Sequence, residues 1–310
     1  MRTLVLTAAA CVGAVLACGG IARAAEPAAA EKVTGEPGKV MEYVYKKTPQ
    51  GELKMHVHFP ADWKAGDQRP AIVFFFGGAW RAGTVDQFKP QAEYLASRGM
   101  VAARADYRVQ SRHGTTPVAS VEDAKSAVRW LRQRAGDLGI DPARLAGSGG
   151  SAGGHIAACA AMTDTLDARD EDKSVSSRPN ALVLFNPVLD LTNLDIPGQK
   201  AEALGGPEAL KAISPILYVK KDTPPAVLFY GTEDRFLAHG RALLAKSKEL
   251  GNRVEVYAAA GLPHGFFNRP PWTEITLRQA DLFLVSLGYL KGDPTIQPPP
   301  GSTQELKKEP

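Results

Sequence analysis

Cysteine is scarce in this chain. Only three of the 310 residues are Cys, and two of them, Cys11 and Cys18, lie near the N-terminus. If an N-terminal segment is removed, only Cys159 remains and no intrachain disulfide can form. Cys159 falls on a predicted helix, where we expect a small buried apolar residue rather than a reactive thiol.

Strong net charge, long apolar runs and metal-site spacings are also missing. The formal net charge is only +4, so nothing indicates the basic surface of a nucleic-acid-binding protein. The apolar run over residues 4–17 is shorter than the roughly 20 residues that a membrane-spanning helix needs. No pair of histidines has metal-ligand spacing beside a carboxylate, so we expect no metal and no cofactor.

The N-terminus has the organisation of an export signal. Arg2 precedes the apolar run, and Ala22-Arg23-Ala24 has the small-x-small pattern that signal peptidase cleaves. We predict a signal peptide over residues 1–24 and an exported protein, periplasmic or secreted. The alternative treats Val15-Leu16-Ala17-Cys18 as a lipobox, in which case Cys18 would be lipidated and would hold the protein on a membrane.

Composition separates two tails from a central domain. Residues 25–38 are rich in Ala, Glu, Pro and Gly, and residues 291–310 contain Pro298-Pro299-Pro300-Gly301 before a charged end. A flexible linker and a disordered tail are therefore predicted. Residues 39–290 are long enough to form one catalytic domain of the α/β class.

Strand and helix patterns alternate inside that domain. Residues 40–45 and 54–59 predict an antiparallel pair. Short apolar runs predict strands buried on both faces over residues 71–76, 101–105, 181–185 and 226–230. Amphipathic patterns predict helices over residues 237–250, over residues 273–289, and from an N-cap at Ser120 to just before Gly136. This alternation indicates a mostly parallel sheet covered by helices on both faces.

A serine is the first candidate for chemistry. Gly149-Gly150-Ser151-Ala152-Gly153 lies between a short predicted strand, residues 143–148, and a helix-forming stretch, residues 152–162. A strand, a tight turn and a helix around Gly-x-Ser-x-Gly raise a nucleophilic hydroxyl above a sheet, and the helix N-terminus favours developing negative charge. No Gly-Lys-Ser/Thr follows, which argues against a phosphate-binding loop. Ser151 is therefore the predicted nucleophile.

Main-chain donors for an oxyanion are predicted nearby. Phe76-Gly77-Gly78-Ala79-Trp80 follows a buried strand directly. A tetrahedral oxyanion needs backbone N–H groups, and small residues let the main chain approach the reacting carbonyl. We expect the N–H of Ala152 to act with that of Gly78 or Ala79.

Two more motifs supply an acid and a base. Gly231-Thr232-Glu233-Asp234 ends a predicted strand, and Pro263-His264-Gly265-Phe266 precedes the last helix. A neutral imidazole can take the serine proton, and a carboxylate beside it holds the required tautomer. We predict His264 as the general base and Asp234 as the residue that orients it, preferred over Glu233 from its place in the motif.

Together these motifs resemble α/β-hydrolases of the hormone-sensitive-lipase-like and bacterial feruloyl or acetyl esterase type, over residues 40–289. Asp106-Tyr107-Arg108, Asp141-Pro142-Ala143-Arg144 and Ile213-Ser214-Pro215 also match. The resemblance implies the α/β-hydrolase fold with about eight strands, the chain order Ser, Asp, His, and hydrolysis of carboxylic esters, often acetyl or feruloyl esters of plant polysaccharides. One departure is that Phe76 and Ala79 replace His and Gly of the usual His-Gly-Gly-Gly.

Other residues near the predicted nucleophile have less specific roles. Trp80 and Phe266 are candidates for the wall of the substrate pocket, with packing as the alternative, and the segment of residues 190–212 is expected to contact substrate. His155 is expected to pack or to hydrogen-bond locally rather than to act as the base.

The predicted function is that of a serine carboxylic-ester hydrolase acting on a small-molecule or polysaccharide ester. Two alternatives stay open. One is an exported serine peptidase of the prolyl type, although such enzymes usually carry a large additional domain. The other is a catalytically silent binding module that keeps the fold, suggested by Phe76 in the oxyanion motif. Oligomeric state is not indicated by the sequence.

Overall fold

One mixed β-sheet forms the centre of the protein. The computed structural model describes residues 33–192 and 201–310. Its strands are β1 Val40–Thr48, β2 Gly51–His58, β3 Arg69–Phe75, β4 Val101–Ala105, β5 Ile140–Gly150, β6 Ala181–Phe185, β7 Ala226–Gly231, β8 Val254–Ala259 and β9 Lys307–Lys308.

The strands lie in the order β1-β2-β4-β3-β5-β6-β7-β8-β9. Strands β3 to β8 are parallel to one another, β2 is antiparallel to β1 and β4, and β9 is antiparallel to β8. This is the α/β-hydrolase architecture, so the predicted fold class is confirmed, with β9 as a strand beyond the expected eight.

Helices cover both faces of the sheet. Their bounds are α1 Lys89–Ser97, α2 Gln110–His113, α3 Pro117–Gln133, α4 Ala135–Leu138, α5 Ala152–Met162, α6 Pro207–Ala212, α7 Leu237–Leu250 and α8 Trp272–Ser286. Short 3-10 helices span Val85–Phe88, Ala201–Leu204, Pro215–Tyr218 and Phe266–Asn268.

Two apolar cores lie between the helices and the sheet. Side chains of α3, α5 and α7 belong to one core, and side chains of α1 and α8 belong to the other. Strand β3 contributes alternately to both, with Val73 and Phe75 in the first core and Ile72 and Phe74 in the second. Successive side chains of a strand point to opposite faces, which is why strands buried on both sides appear as continuous apolar runs.

Helix α3 begins three residues before the predicted N-cap. Pro117 is its first residue and Thr116 takes the cap position, in agreement with the preference of proline for the first helical turn. Ser120 lies inside the helix, where its Oγ donates to the carbonyl of Arg108 at 2.8 Å. Buried Asp123 accepts a hydrogen bond from Arg108 Nε at 2.8 Å. The polar residues that suggested a cap instead hold α3 against the segment after β4.

The chain beyond residue 290 packs on the domain, which contradicts the predicted disordered tail over residues 291–310. The N–H of Thr295 donates to Tyr94 Oη at 3.2 Å. Lys308 pairs with Tyr257 across the β8–β9 ladder, and the N–H of Glu309 donates to the carbonyl of Val256 at 2.8 Å. A proline-rich composition suggested disorder, but the exposed edge of β8 offers hydrogen-bond partners that composition cannot reveal.

The N-terminal boundary also differs from the expected residue 39. Val33 is buried, and Tyr43 Oη donates to the carbonyl of Thr34 at 2.6 Å, so the domain already includes the end of the predicted linker. The predicted signal peptide over residues 1–24, the alternative lipidation of Cys18 and the first part of the linker lie outside the described residues. Within the described ranges, no helix is long and apolar enough to cross a bilayer.

Candidate active site

Ser151 lies at the turn between β5 and α5. Its backbone has φ 52° and ψ −115°, a conformation that residues other than glycine seldom adopt. The neighbouring glycines make the turn sterically possible: a Cβ on Gly149 would lie 2.5 Å from the Gly153 carbonyl carbon, and one on Gly153 would lie 2.0 Å from the Phe75 oxygen. Backbone strain of this kind is typical of functional positions, and here it lifts the hydroxyl above the sheet.

The three predicted catalytic side chains lie in one hydrogen-bonded chain. Ser151 Oγ is 2.8 Å from His264 Nε2, and His264 Nδ1 is 2.7 Å from Asp234 Oδ2. The carboxylate of Asp234 is fully buried, whereas the imidazole is 38% exposed. Asp234 Oδ1 accepts a further hydrogen bond from the N–H of Phe236 at 2.9 Å, which fixes the carboxylate. Glu233 is exposed and takes no part in this chain.

Contacts between loops place the imidazole. A Cβ on Gly231 would lie 1.9 Å from the Leu262 oxygen, so glycine at the end of β7 lets the loop that carries His264 approach closely. The N–H of Gly265 donates to Asn186 Oδ1 at 3.0 Å. The ring of Phe236 packs edge-on to the imidazole at 5.3 Å. These contacts arrive from the carboxyl ends of neighbouring parallel strands, where sites of α/β sheets form.

The loop after β3 has a backbone suited to anion binding. Gly78, Ala79 and Trp80 have φ values of 125°, 54° and 58°, so three consecutive residues are in left-handed or extended positive-φ conformations. Among the described residues, the N–H groups of Gly78, Ala79 and Ala152 form no hydrogen bond to the protein. Main-chain donors without a protein partner beside a nucleophile can stabilise an oxyanion.

Phe76 has a structural role in this loop. Its ring stacks on Tyr107 at a centroid distance of 4.1 Å, and Tyr107 Oη donates to the Phe76 carbonyl at 2.7 Å. The loop is therefore braced by an aromatic stack and a buried tyrosine hydroxyl. The polar side chain expected at position 76 from the family motif is replaced by this packing.

Two amide side chains connect the loop after β3, residues 76–80, to the loop that carries His264; we call the first of these the oxyanion loop. Gln87 Oε1 accepts a hydrogen bond from the N–H of Gly77 at 2.6 Å, and Gln87 Nε2 donates to Asn268 Oδ1 at 3.0 Å. Asn268 Nδ2 in turn donates to the carbonyl of Gly265 at 3.0 Å. We call this chain, from Gly77 through Gln87 and Asn268 to Gly265, the amide bridge. It ties the position of the main-chain donors to that of His264.

A cavity of about 360 Å³ opens above Ser151. Its wall includes His264, the amide bridge and the rings of Phe236 and Phe267. Phe266, the predicted wall residue, does not line this cavity: it packs edge-on against Trp272 in the core beneath α8. The short 3-10 helix Phe266–Asn268 turns the adjacent phenylalanine toward the site instead.

Trp80 lines the cavity but is mainly a packing residue. It is only 2% exposed, and its Nε1 donates to His155 Nδ1 at 3.0 Å. His155 Nε2 donates to the carbonyl of Ile213 at 2.6 Å, and burial lowers the pKa of His155 to about 4. Local hydrogen bonding, the predicted role of His155, is therefore observed.

Cys159 and the chain after β6 complete the surroundings. The thiol of Cys159 is buried and burial raises its pKa well above the usual range, as suits the expected structural role. Of the segment over residues 190–212, residues 193–200 lie outside the description, while Ala203 and Leu204 line a second cavity beside the first. In the described ranges, no group of three or more His, Cys, Asp or Glu side chains could hold a metal ion.

Sequence reasoning missed three residues of the site. Asn186 directly follows the apolar run of β6, and its place at the carboxyl end of a parallel strand was a usable signal. Gln87 and Asn268 carry no such signal, because they meet only when the segment after β3 and the loop after β8 are folded together.

Known proteins share this arrangement. Residues 55–248 match the sequence model of the BD-FAE family. The esterase LipQ of Mycobacterium tuberculosis is 30% identical over 225 residues, which cover 67% of this chain and 52% of LipQ. A probable isoprenylcysteine alpha-carbonyl methylesterase of Arabidopsis thaliana, ICMEL1, is 27% identical over 79% of this chain and 55% of its own length. The chain thus spans about half the length of these curated relatives.

Solved structures of Thermogutta terrifontis esterase 2 match this chain over nearly all of their own length. The form phosphoramylated by tabun is 46% identical to this chain, with a TM-score of 0.78 over 83% of this chain and 97% of the other. The propionate-bound form gives 46% identity and a TM-score of 0.77 over the same shares.

Proposed function

The chain belongs to the BD-FAE family of α/β-hydrolases, and on that premise we propose that it is a serine carboxylic-ester hydrolase working through an acyl-enzyme. The observation that carries the proposal is the hydrogen-bonded chain from Ser151 Oγ through His264 to the buried carboxylate of Asp234, open to a cavity of about 360 Å³. The relatives named above are esterases, which supports the same reaction class.

In the first half of the reaction, His264 Nε2 takes the proton of Ser151 as the hydroxyl oxygen attacks the ester carbonyl. Asp234 accepts the Nδ1–H hydrogen bond, holds the tautomer with a free Nε2 lone pair and stabilises the imidazolium that forms. The main-chain N–H groups of Ala152 and of Gly78 or Ala79 donate to the oxyanion. Collapse of the tetrahedral intermediate releases the alcohol, which takes its proton from His264.

The second half repeats these steps with water. His264 takes a proton from water, the hydroxide oxygen attacks the acyl-Ser151 carbonyl, and the carboxylic acid leaves as Ser151 recovers its proton. The same donors hold the second oxyanion. The imidazole must be neutral at the start of each half, because only a neutral ring can accept the proton of Ser151 or of water.

For the substrate we propose short-chain esters, with acetyl or feruloyl esters of carbohydrates as the natural class. The structures of Thermogutta terrifontis esterase 2 with propionate and butyrate support a small acyl group. The family resemblance supports the carbohydrate. The export-type N-terminus over residues 1–24 supports action outside the cytoplasm, in the periplasm or the medium, or on a membrane if Cys18 is lipidated.

The test is hydrolysis of p-nitrophenyl acetate, butyrate and octanoate by the chain beside Ser151→Ala, with acetylated xylan and methyl ferulate as natural-type substrates. We expect activity that decreases with acyl length and is lost in Ser151→Ala, together with labelling of Ser151 by a fluorophosphonate. Labelling with no hydrolysis of any ester, but cleavage of a prolyl amide, would identify a peptidase. Absence of both labelling and hydrolysis would identify a silent binding module.

A further inference from the structure

A second cavity, of about 240 Å³, lies beside the catalytic one. The two share Ala79 and Trp80, so they are neighbours across the oxyanion loop. Arg81, Gln110 and Thr115 contribute its polar side chains, and Leu204 contributes part of its apolar wall. We call this second cavity the side chamber.

The main chain fixes the polar part of the side chamber. The N–H of Gln110 donates to the Trp80 carbonyl at 2.9 Å, and the N–H of Ser111 donates to the Arg81 carbonyl at 2.9 Å. These two hydrogen bonds hold the oxyanion loop against the start of α2. The guanidinium of Arg81 and the carboxamide of Gln110 therefore extend from backbone segments whose relative position is set, and only the two side chains themselves need to be ordered when a ligand binds.

Among the described residues, the polar side chains of the side chamber have no hydrogen-bond or ion-pair partner in the protein. Thr115 Oγ1 is buried and has no hydrogen-bond partner among the described residues. Arg81 and Gln110 are exposed, and within the same residues their side chains form no hydrogen bond or ion pair. A buried hydroxyl without a partner is costly, which suggests that a ligand supplies its partner.

The charge of the side chamber indicates the kind of ligand. Arg81 is the one charged side chain among its described lining residues, and none of those residues carries a carboxylate. A guanidinium, a carboxamide N–H₂ and a hydroxyl can donate together to a group that has only acceptor oxygens. A carboxylate matches this set, because arginine forms strong charge-assisted hydrogen bonds with it.

We propose that the side chamber binds a carboxylate carried by the ester substrate, with Arg81 as the residue that selects it. This proposal rests on the esterase function proposed above. The substrate would place its ester carbonyl at Ser151 and extend past Ala79 and Trp80 to the guanidinium. Arg81 is then a specificity residue that does not touch the reacting atoms.

The test compares matched pairs of esters that differ by one carboxylate. The half esters mono-p-nitrophenyl adipate and suberate, whose carboxylate is on the acyl side, are compared with their neutral methyl esters. Acetylated 6-hydroxyhexanoate, whose carboxylate is on the alcohol side, is compared with hexyl acetate by measuring acetate release. We expect the wild-type chain to prefer the charged member of at least one pair in kcat/KM.

Substitution of Arg81 then shows whether that preference comes from the side chamber. We expect Arg81→Gln to reduce the charged-to-neutral ratio by roughly 10- to 100-fold, the range of a lost charge-assisted hydrogen bond, with kcat/KM for neutral esters unchanged. Exposed Arg169, which lines a separate surface depression, provides the matched control: Arg169→Gln should leave the ratio as it is.

Each outcome decides one of the two proposals. If neutral esters are hydrolysed but carboxylated ones are never preferred, or if the preference survives Arg81→Gln, the carboxylate subsite is wrong and the esterase function stands. If no ester is hydrolysed by the wild-type chain, the esterase function itself is wrong.

Discussion

Two imidazoles, those of His264 and His155, belong to the surroundings of the proposed nucleophile Ser151, and their own environments are opposite in kind. His264 is 38% exposed, faces the cavity, and lies between a serine hydroxyl and a buried carboxylate. His155, four residues after Ser151, is completely buried and lies between the indole N–H of Trp80 and the carbonyl of Ile213. Both rings have both nitrogens hydrogen-bonded, so hydrogen bonding alone does not distinguish a base from a packing residue.

The difference lies in what each environment does to a positive charge. Asp234 can stabilise an imidazolium at His264, and the open cavity brings substrate to Nε2. The partners of His155 are neutral, and burial lowers its pKa to about 4, so protonation there is disfavoured. In the proposed mechanism the ring of His264 exchanges protons during turnover, whereas the ring of His155 joins the oxyanion loop to the helix that follows Ser151.

The largest expected effect comes from removing the exchangeable ring. In His264→Asn, the Nδ2 group can still donate to Asp234, so the buried carboxylate keeps a partner, but no base faces Ser151. We expect kcat for p-nitrophenyl acetate to fall by about 10⁴-fold with little change in melting temperature. A variant that keeps more than about one per cent of the rate would show that another group is the base.

The second expected effect falls on stability. His155→Leu would leave Trp80 Nε1 buried without a partner, at a cost of about 1–3 kcal/mol, and the Ile213 carbonyl would keep only the weak hydrogen bond from the Cys159 thiol at 3.3 Å. We expect the free energy of unfolding, measured by urea denaturation, to fall by about 3 kcal/mol.

His155→Gln is the matched control, because its Nε2 can still donate to Ile213 and it should lose less stability. Below the melting temperature, folded His155→Leu should retain most of the wild-type kcat. A loss of rate as large as that of His264→Asn would remove the distinction between the two rings.

A smaller effect is expected where the two loops are joined. Gln87→Ala breaks the amide bridge and frees the N–H of Gly77, so the donors of Gly78 and Ala79 lose their alignment. We expect kcat to fall by roughly 10- to 50-fold with KM changed little, because the oxyanion exists only after the ground state. Gln87→Glu keeps an acceptor for the N–H of Gly77 but loses the donor to Asn268, and its negative charge would destabilise the oxyanion.

Asn268→Ala tests the other half of the bridge. If the bridge acts as a unit, the effects of Gln87→Ala and Asn268→Ala on kcat should not be additive in the double variant. Additive effects, or a change confined to KM, would assign the two amides to substrate contact instead of loop position.

The last prediction concerns the pH dependence of stability. The pKa of His155 is about 4 in the folded chain against a usual 6.5, so the unfolded chain takes up this proton first as the pH falls. The stability linked to this residue is complete above pH 6.5 and is lost progressively between pH 6.5 and about 4, by about 1.4 kcal/mol per pH unit.

Urea denaturation of wild-type and His155→Gln chains across that range isolates the contribution. In the variant, the slope of the free energy of unfolding against pH should be smaller by the equivalent of about one proton. Burial also lowers the pKa of His58 to about 4, but this slope is common to both chains and cancels in the comparison. Thiol Sγ of Cys159 lies 3.3 Å from His155 Nε2 and stays neutral there. Identical slopes would mean that His155 is not the group being titrated.

Local pattern predicted most of the sheet and two helices well. The strands over residues 101–105 and 181–185 and the helices over residues 152–162 and 237–250 have the predicted bounds, because burial on two faces or on one helical stripe leaves a clear periodicity. The start of α3 was misjudged, since Ser120 and Asp123 resemble a cap but bond to Arg108. The C-terminal tail was misjudged because its partners belong to α1 and β8, which are separate from it in the chain.

By itself, the sequence determined the fold class, the family and the residues that meet at the site, because Gly-x-Ser-x-Gly and the strand-end Asp and His motifs are local and their chain order selects one topology. Tertiary structure alone decided which neighbours face the cavity. It directed Phe267 toward the cavity and Phe266 into the core beneath α8, hydrogen-bonded Trp80 to His155, and brought Gln87 to Asn268. Side-chain direction in loops depends on contacts between distant segments, and no local pattern encodes those contacts.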